Sequence, residues 1–182
     1  MPVNATNDKL GWLAPEFKLL DISGKISTFN ELKGENGTVI AFICNHCPYV
    51  ISIVDRLSNE AKELNKLSIN TIAIMSNDVV QHPDDSYENM KIFAKKYNFR
   101  FPYLYDETQK VAKNYGAVCT PDIFGFNNKN LLCYRGRIDS GVMNSDNTKI
   151  NRDLYNAMLK IKNEGIGPEK QLNSFGCSIK WK

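Results

Sequence analysis

The sequence predicts an α/β fold, a central mixed β-sheet flanked by helices, with a β-hairpin extension on its N-terminal side. Short runs of β-branched and aromatic residues alternate with longer stretches of helical periodicity. Near the end, Asn127-Asn128-Lys129-Asn130 separates two strand-like runs and has the composition of a turn between antiparallel neighbours. The chain also carries 42% apolar residues over 182 positions, enough for one well-packed core, so residues 1–182 are expected to form a single domain.

Taken in order, Glu16 to Asp21 alternates Phe17 and Leu19 with polar neighbours, then turns at Ser23-Gly24 into a segment ending near Phe29. This is the opening hairpin. Thr38 to Ile43 has no polar alternation, as expected for a central strand buried on both faces. After Pro48, which suits a first helical turn, Val50, Ile53, Val54, Leu57, Ala61 and Leu64 recur at helical spacing. Ser68 to Met75 reads as a second buried strand, and a polar loop from Ser76 to Asp85 leads to a helix carrying Met90, Phe93, Ala94 and Tyr97. Phe101 to Tyr105 is a short extended segment, and Glu107 to Tyr115 a short helix stopped by Gly116. The strands Asp122 to Phe126 and Leu131 to Arg137 form the second hairpin. A last helix is expected from Lys149 to Lys162, and residues 165–182, opening with Gly165-Ile166-Gly167-Pro168, are expected to be an irregular tail.

Composition narrows the chemistry. Basic and acidic residues number 23 and 20 and are interleaved, which gives nucleic-acid binding no support. The longest apolar stretch, Val39 to Cys44, is too short to span a bilayer. The polar segment from Met1 to Lys9 lacks the apolar core of a secretory signal, so a cytoplasmic location is expected. Five cysteines, an odd number, argue against a fully paired disulfide framework. In a reducing compartment a C-x-x-C spacing points to catalysis or metal binding rather than to a structural staple.

That spacing is Cys44-Asn45-His46-Cys47, placed between a buried strand and Pro48. A cysteine is a nucleophile only as thiolate, and the free amides and dipole at a helix N-terminus favour the anion. Cys47 holds that position. Cys44, one strand-end earlier, could attack a mixed disulfide formed on Cys47 and release the product.

The motifs together resemble one family. Ala14-Pro15-Glu16-Phe17 with Asp21-Ile22-Ser23-Gly24, the run from Cys44 to Val50, Cys119-Thr120-Pro121-Asp122, Tyr134-Arg135-Gly136-Arg137-Ile138-Asp139, and the terminal Gly176-Cys177-Ser178-Ile179-Lys180-Trp181-Lys182 are similar to the peroxiredoxin-like branch of the thioredoxin superfamily. This is the redoxin domain of alkyl hydroperoxide reductase and thiol-specific antioxidant proteins. The resemblance implies a thioredoxin-like fold and an antioxidant or thiol-disulfide oxidoreductase activity. It also places Cys47 where thioredoxins carry the first active-site cysteine and Val50 where they carry the second. Peroxiredoxins precede their peroxidatic cysteine with the pattern P-x-x-x-T-x-x-C. Here Ile40 and Cys44 stand at those two positions before Cys47, and Gly37 and Ala41 before Cys44, so thiol-disulfide exchange is expected ahead of peroxidase chemistry.

Pro121 resembles the superfamily's cis-proline, which implies that Thr120 offers its backbone to an extended substrate and that Cys119 lies near Cys47. Cys44 and Cys119 are therefore equal candidates as resolving thiol. His46 joins Thr120 and Pro121 as a substrate-side residue, because its charge could lower the pKa of a neighbouring thiol. The alternative is a non-enzymatic redox sensor or a Cu(I)- or zinc-binding module using Cys44, His46, Cys47 and Cys119. The expected partners are a disulfide-bearing protein, or a small thiol or peroxide, with thioredoxin or another thiol as reductant. No cofactor or structural metal is expected. Cys133, Trp12 and Trp181 read as packing residues; Cys177 in the tail reads as packing too, with a distant resolving thiol as the alternative; His82 reads as surface loop, and Arg135 and Arg137 as strand charges that could also steer an anionic substrate.

Overall fold

The computed structural model describes residues 1–5, 10–141 and 150–182. In chain order the elements are β1 (Pro2–Asn4), β2 (Lys18–Asp21), β3 (Ile26–Thr28), α1 (Phe29–Leu32), β4 (Gly37–Phe42), α2 (Pro48–Asn65) and β5 (Ile69–Met75). A single 3-10 turn at Pro83–Asp85 precedes α3 (Tyr87–Lys96), β6 (Tyr103–Tyr105), α4 (Lys110–Tyr115), β7 (Cys119–Thr120), β8 (Asp122–Phe126), β9 (Leu132–Gly136), α5 (Asp153–Glu164) and β10 (Phe175–Ser178).

The described residues form a seven-stranded sheet in the order β3-β2-β6-β5-β4-β8-β9. β4 runs parallel to β5, β5 parallel to β6, and β8 antiparallel to both β4 and β9. All six residues of β4 are buried, and parity decides which face each one serves. Val39, Ala41 and Ile43 enter one core with α2, α3 and α5, whereas Ile40 and Phe42 enter a second core with Phe29 of α1 and Val111, Ala112 and Tyr115 of α4. The helix-spaced residues Val50, Ile53, Val54, Leu57, Ala61 and Leu64 are all buried, as their period requires. Trp12 packs edge-on against Tyr115, Phe124 and Phe126, consistent with an anchoring role. Gly116 ends α4 in the left-handed conformation, at φ 66°.

The mixed sheet, the opening hairpin β2–β3 and the β8–β9 hairpin agree with the sequence pattern. One expectation falls partly outside the described residues and one differs. Lys149, the expected start of the last helix, lies outside the described residues, and the described α5 runs from Asp153 to the left-handed cap at Gly165. The tail expected to be irregular supplies β10, the middle strand of a second sheet in the order β1-β10-β7. Its partners are some 60 and 170 residues away in sequence, Cys177 standing opposite Thr120 and opposite Pro2. No local period announces a strand whose hydrogen bonds are all long-range.

The last residues are fixed as firmly. Lys180 N–H donates to Asn77 Oδ1 at 2.8 Å, and the Lys180 carbonyl accepts from Asp78 N–H at 2.8 Å and Gln109 Nε2 at 2.7 Å. Lys182 N–H donates to Gln109 Oε1 at 2.9 Å, and Ile179 is buried in the second core. The terminal motif therefore ties the chain end to the loops after β5 and β6. No helix among the described residues is long and apolar enough to cross a membrane.

Candidate active site

β4 delivers Cys44 to the carboxyl end of the sheet, and the loop Asn45-His46 leads to Cys47, the residue that caps α2 with Pro48 as its first helical residue. The loop is held from outside. Asp85 Oδ1 accepts from Asn45 N–H at 2.7 Å and from His46 N–H at 3.4 Å, while Asp85 Oδ2 accepts from Asn77 Nδ2 at 2.7 Å. Tyr103 O–H donates to Asn45 Oδ1 at 3.0 Å. A fully buried carboxylate thus fixes the backbone between the two cysteines, a role that no spacing in the sequence revealed.

Cys47 is buried and its sulfur lies 3.2 Å from the carbonyl oxygen of Thr120, to which the thiol donates. Its pKa is nevertheless lowered to about 4. The Cys44 thiol, donating toward it, is the main cause; burial opposes ionisation; the Val50 N–H in the first turn of α2 and both the thiol and N–H of Cys177 then favour the anion. Thr120 O works against the thiolate, but these donors outweigh it.

The neighbouring thiols shift the other way. Cys44 is raised well above the ordinary thiol value, first by its bond to Cys47 and then by burial, and its sulfur lies 3.3 Å from Thr120 Oγ1. Burial pushes Cys119 up strongly; its thiol donates to the Pro121 carbonyl at 3.5 Å. Cys177 is raised to about 11 by burial and by Cys47. The shifts thus favour the anion at Cys47 and the neutral thiol at Cys44, Cys119 and Cys177.

The structure brings the expected Cys44, Cys47, Thr120 and Pro121 together at one end of the sheet, and the Thr120–Pro121 bond is cis. Thr120's backbone, however, already pairs with Cys177 of β10. Cys119 alternates with Thr120 on β7 and is fully buried, so its sulfur is spent on Pro121 while the Thr120 hydroxyl meets Cys44.

His46 sits partly exposed, with Nδ1 2.8 Å from Asp85 Oδ2 and its ring stacked on His82 at 5.3 Å. Its pKa is raised, chiefly by Asp85. Asp85 is left below the ordinary carboxylate range: burial alone would raise it, and the bonds from His46 and Asn77 outweigh that. His82, expected as surface loop, is therefore part of this wall. Arg135 pairs with Asp122 at 2.9 Å and Arg137 with Asp153 at 2.6 Å, which commits both guanidinium groups within the fold. Cys133 is buried as expected, and its thiol faces the carbonyls of Leu131 and Gly165.

Cys44, His46 and Asp85 place one donor atom each within 4.8 Å of one another, a set that could attract a borderline metal ion. The Asp85 oxygens already serve Asn45, His46 and Asn77, and Cys44 strongly favours its neutral form. Asp85, Asn77 and Tyr103 are site residues that sequence spacing did not reveal, and Cys177, which belongs to the recognised terminal motif, reads there as packing ahead of a resolving role.

The chain superposes with a TM-score of 0.66 on the thioredoxin domain of a thiol-disulfide oxidoreductase from Bacteroides vulgatus, at 16% identity, covering 85% of this chain and 99% of that one. The chain therefore has a thioredoxin-like fold, with Cys47 capping the helix that follows its central strand. Residues 10–138 match the AhpC/TSA family, and the chain belongs to it. Among curated relatives, a chloroplastic peroxiredoxin Q of Triticum aestivum is 28% identical over 115 residues, 63% of this chain and 48% of that protein. The chain thus spans about half the length of the curated relatives it matches. An uncharacterized conserved protein from Geobacillus kaustophilus shares 41% identity and a TM-score of 0.93, covering 100% of this chain and 97% of that one.

Proposed function

We propose that this protein is a thiol-dependent oxidoreductase in which the Cys47 thiolate attacks a disulfide or a peroxide and a neighbouring thiol resolves the product. One observation carries the reading: Cys47 caps α2 with donors from Cys44, Val50 and Cys177 converging on its sulfur, and its pKa falls to about 4. Family membership supports thiol redox chemistry in general. Thiol-disulfide exchange is the favoured reaction, because Cys44 rather than a threonine stands three residues before Cys47. Of the two resolving thiols that the sequence offered, contact with Cys47 favours Cys44 over Cys119. A small thiol or thioredoxin-like reductant in the cytoplasm would complete the cycle, where five free cysteines remain reduced.

The metal-holding alternative rests on Cys44, His46 and Asp85. The hydrogen bonds already made by Asp85 favour the redox reading over it. Turnover of a small disulfide or of hydrogen peroxide with dithiothreitol, followed for wild type and Cys47→Ser, tests the proposal. Activity lost in Cys47→Ser supports it. A protein that carries stoichiometric zinc or copper and turns over neither substrate would give the site to metal instead.

A further inference from the structure

We propose that Cys177, presented by β10, is the thiol that closes a disulfide onto oxidised Cys47, and that β10 restricts the site to small oxidants. The proposal rests on Cys47 being the nucleophile. β10 lies antiparallel to β7 with Cys177 opposite Thr120, the residue whose carbonyl accepts from Cys47. The register thus sets Cys177 across the strand pair from the carbonyl that the Cys47 sulfur contacts, and its thiol and N–H are among the groups that favour the Cys47 anion. The first turn of α2 is fastened to the same strand, Tyr49 meeting Phe175 edge-on at 5.1 Å.

The edge of β7 that could add an extended polypeptide strand is therefore occupied by the chain itself. Glycine is required there, because a Cβ on Gly176 would stand 2.1 Å from Thr120 O. The bonds of Lys180 and Lys182 to Asn77 and Gln109 hold the strand in place, so a protein disulfide would have to strip away all of these contacts. A small molecule would not. Next to Tyr49, Pro121 and Phe175, the neighbours of the site, lies a cavity of about 490 Å³ that Ile53 and Ile138 line with apolar surface and Arg137 and Asp139 with charge, wide enough for a small molecule.

Cys177 is also better placed than its rivals. Cys44 is buried with its sulfur against Thr120 Oγ1, and Cys119 is fully buried with its thiol on Pro121. Cys177 sits half-buried on an outer sheet, where a soluble dithiol can reach the finished disulfide. With a hydroperoxide, the Cys47 thiolate attacks the terminal oxygen, an S–O bond forms as the O–O bond breaks to give the sulfenic acid, and the leaving alkoxide takes a proton from solvent to become the alcohol. The Cys177 sulfur then attacks the Cys47 sulfur, forming the S–S bond, and its proton leaves with the hydroxyl as water. A dithiol returns both thiols by accepting the two oxidising equivalents.

The test is disulfide mapping by mass spectrometry after limiting hydrogen peroxide or 4,4′-dithiodipyridine, on wild type, Cys44→Ser and Cys177→Ser, with dimedone present to trap sulfenic acid. The expected product is a Cys47–Cys177 cross-linked peptide in wild type and in Cys44→Ser. In Cys177→Ser the expected product is a dimedone adduct on Cys47 after peroxide and a thiopyridyl mixed disulfide on Cys47 after 4,4′-dithiodipyridine. A Cys44–Cys47 disulfide that forms equally in wild type and Cys177→Ser overturns the assignment of Cys177 while leaving Cys47 as nucleophile. Cys47 unmodified in every protein overturns both. If Cys177→Ser does not fold, the wild-type and Cys44→Ser maps decide alone.

Discussion

The sulfur of Cys47 lies 3.2 Å from the carbonyl oxygen of Thr120, 73 residues later in the chain. A thiol finds an acceptor there; a thiolate must rely on donors from Cys44, Val50 and Cys177 to remain. The balance between that acceptor and those donors sets the reactivity of the site.

The pH dependence of Cys47 follows from this balance. Its alkylation by iodoacetamide, read by mass spectrometry, should be nearly flat from about pH 6 to pH 8 and fall with a midpoint near 4. Because its folded pKa lies below the ordinary 9.0, the associated stabilisation is fully present above the unfolded value and is lost as pH falls through about 4. A rate still climbing between about pH 7 and 9 would show an unperturbed thiol instead.

Asp85 should control His46. The imidazole pKa, followed by NMR, is expected above 6.5 in wild type and to drop in Asp85→Asn. The raised histidine contributes stability fully below its unfolded pKa and loses it as pH rises through the folded one. The lowered carboxylate contributes above its unfolded value and loses that contribution as pH falls through the folded one. The pair therefore stabilises most between the two, and urea unfolding of wild type against Asp85→Asn should show the largest difference in that window.

Asp122 and Arg135 form a second test, of the platform that carries the Thr120–Pro121 loop. Asp122 is completely buried, and burial pushes its carboxyl up despite the guanidinium 2.9 Å away. Arg135→Met leaves that carboxylate without its cation and should cost about 3–5 kcal/mol in urea unfolding at neutral pH. Asp122→Asn combined with Arg135→Met should recover part of the loss, since no buried charge then remains unpaired. Equal losses in the single and double variants would show that the arginine acts through its packing on Phe124 alone.

Gly176→Ala probes the cover over Cys47. A Cβ 2.1 Å from Thr120 O forces β10 away from β7. Alkylation of Cys177 and Cys47 should accelerate about tenfold, equivalent to about 1.4 kcal/mol in local opening. Rates equal to wild type would mean that β10 does not limit access.

Much of this protein was legible in its sequence because the signals were local. The two-sided burial of β4, the amphipathic period of α2, Pro48 behind Cys47 and the Asn-rich turn before β9 each depend on neighbours within a few residues. Those features alone placed Cys47, the proposed nucleophile, at a helix start. What only the tertiary structure decided was which groups surround that sulfur. Asp85, reaching the Cys44–Cys47 loop from 40 residues away, and β10, pairing Cys177 with Thr120 across the second sheet, leave no periodic trace. Their bonds are made to partners far along the chain, so their local sequence carries neither the alternation of a half-buried strand nor the spacing of a helix face.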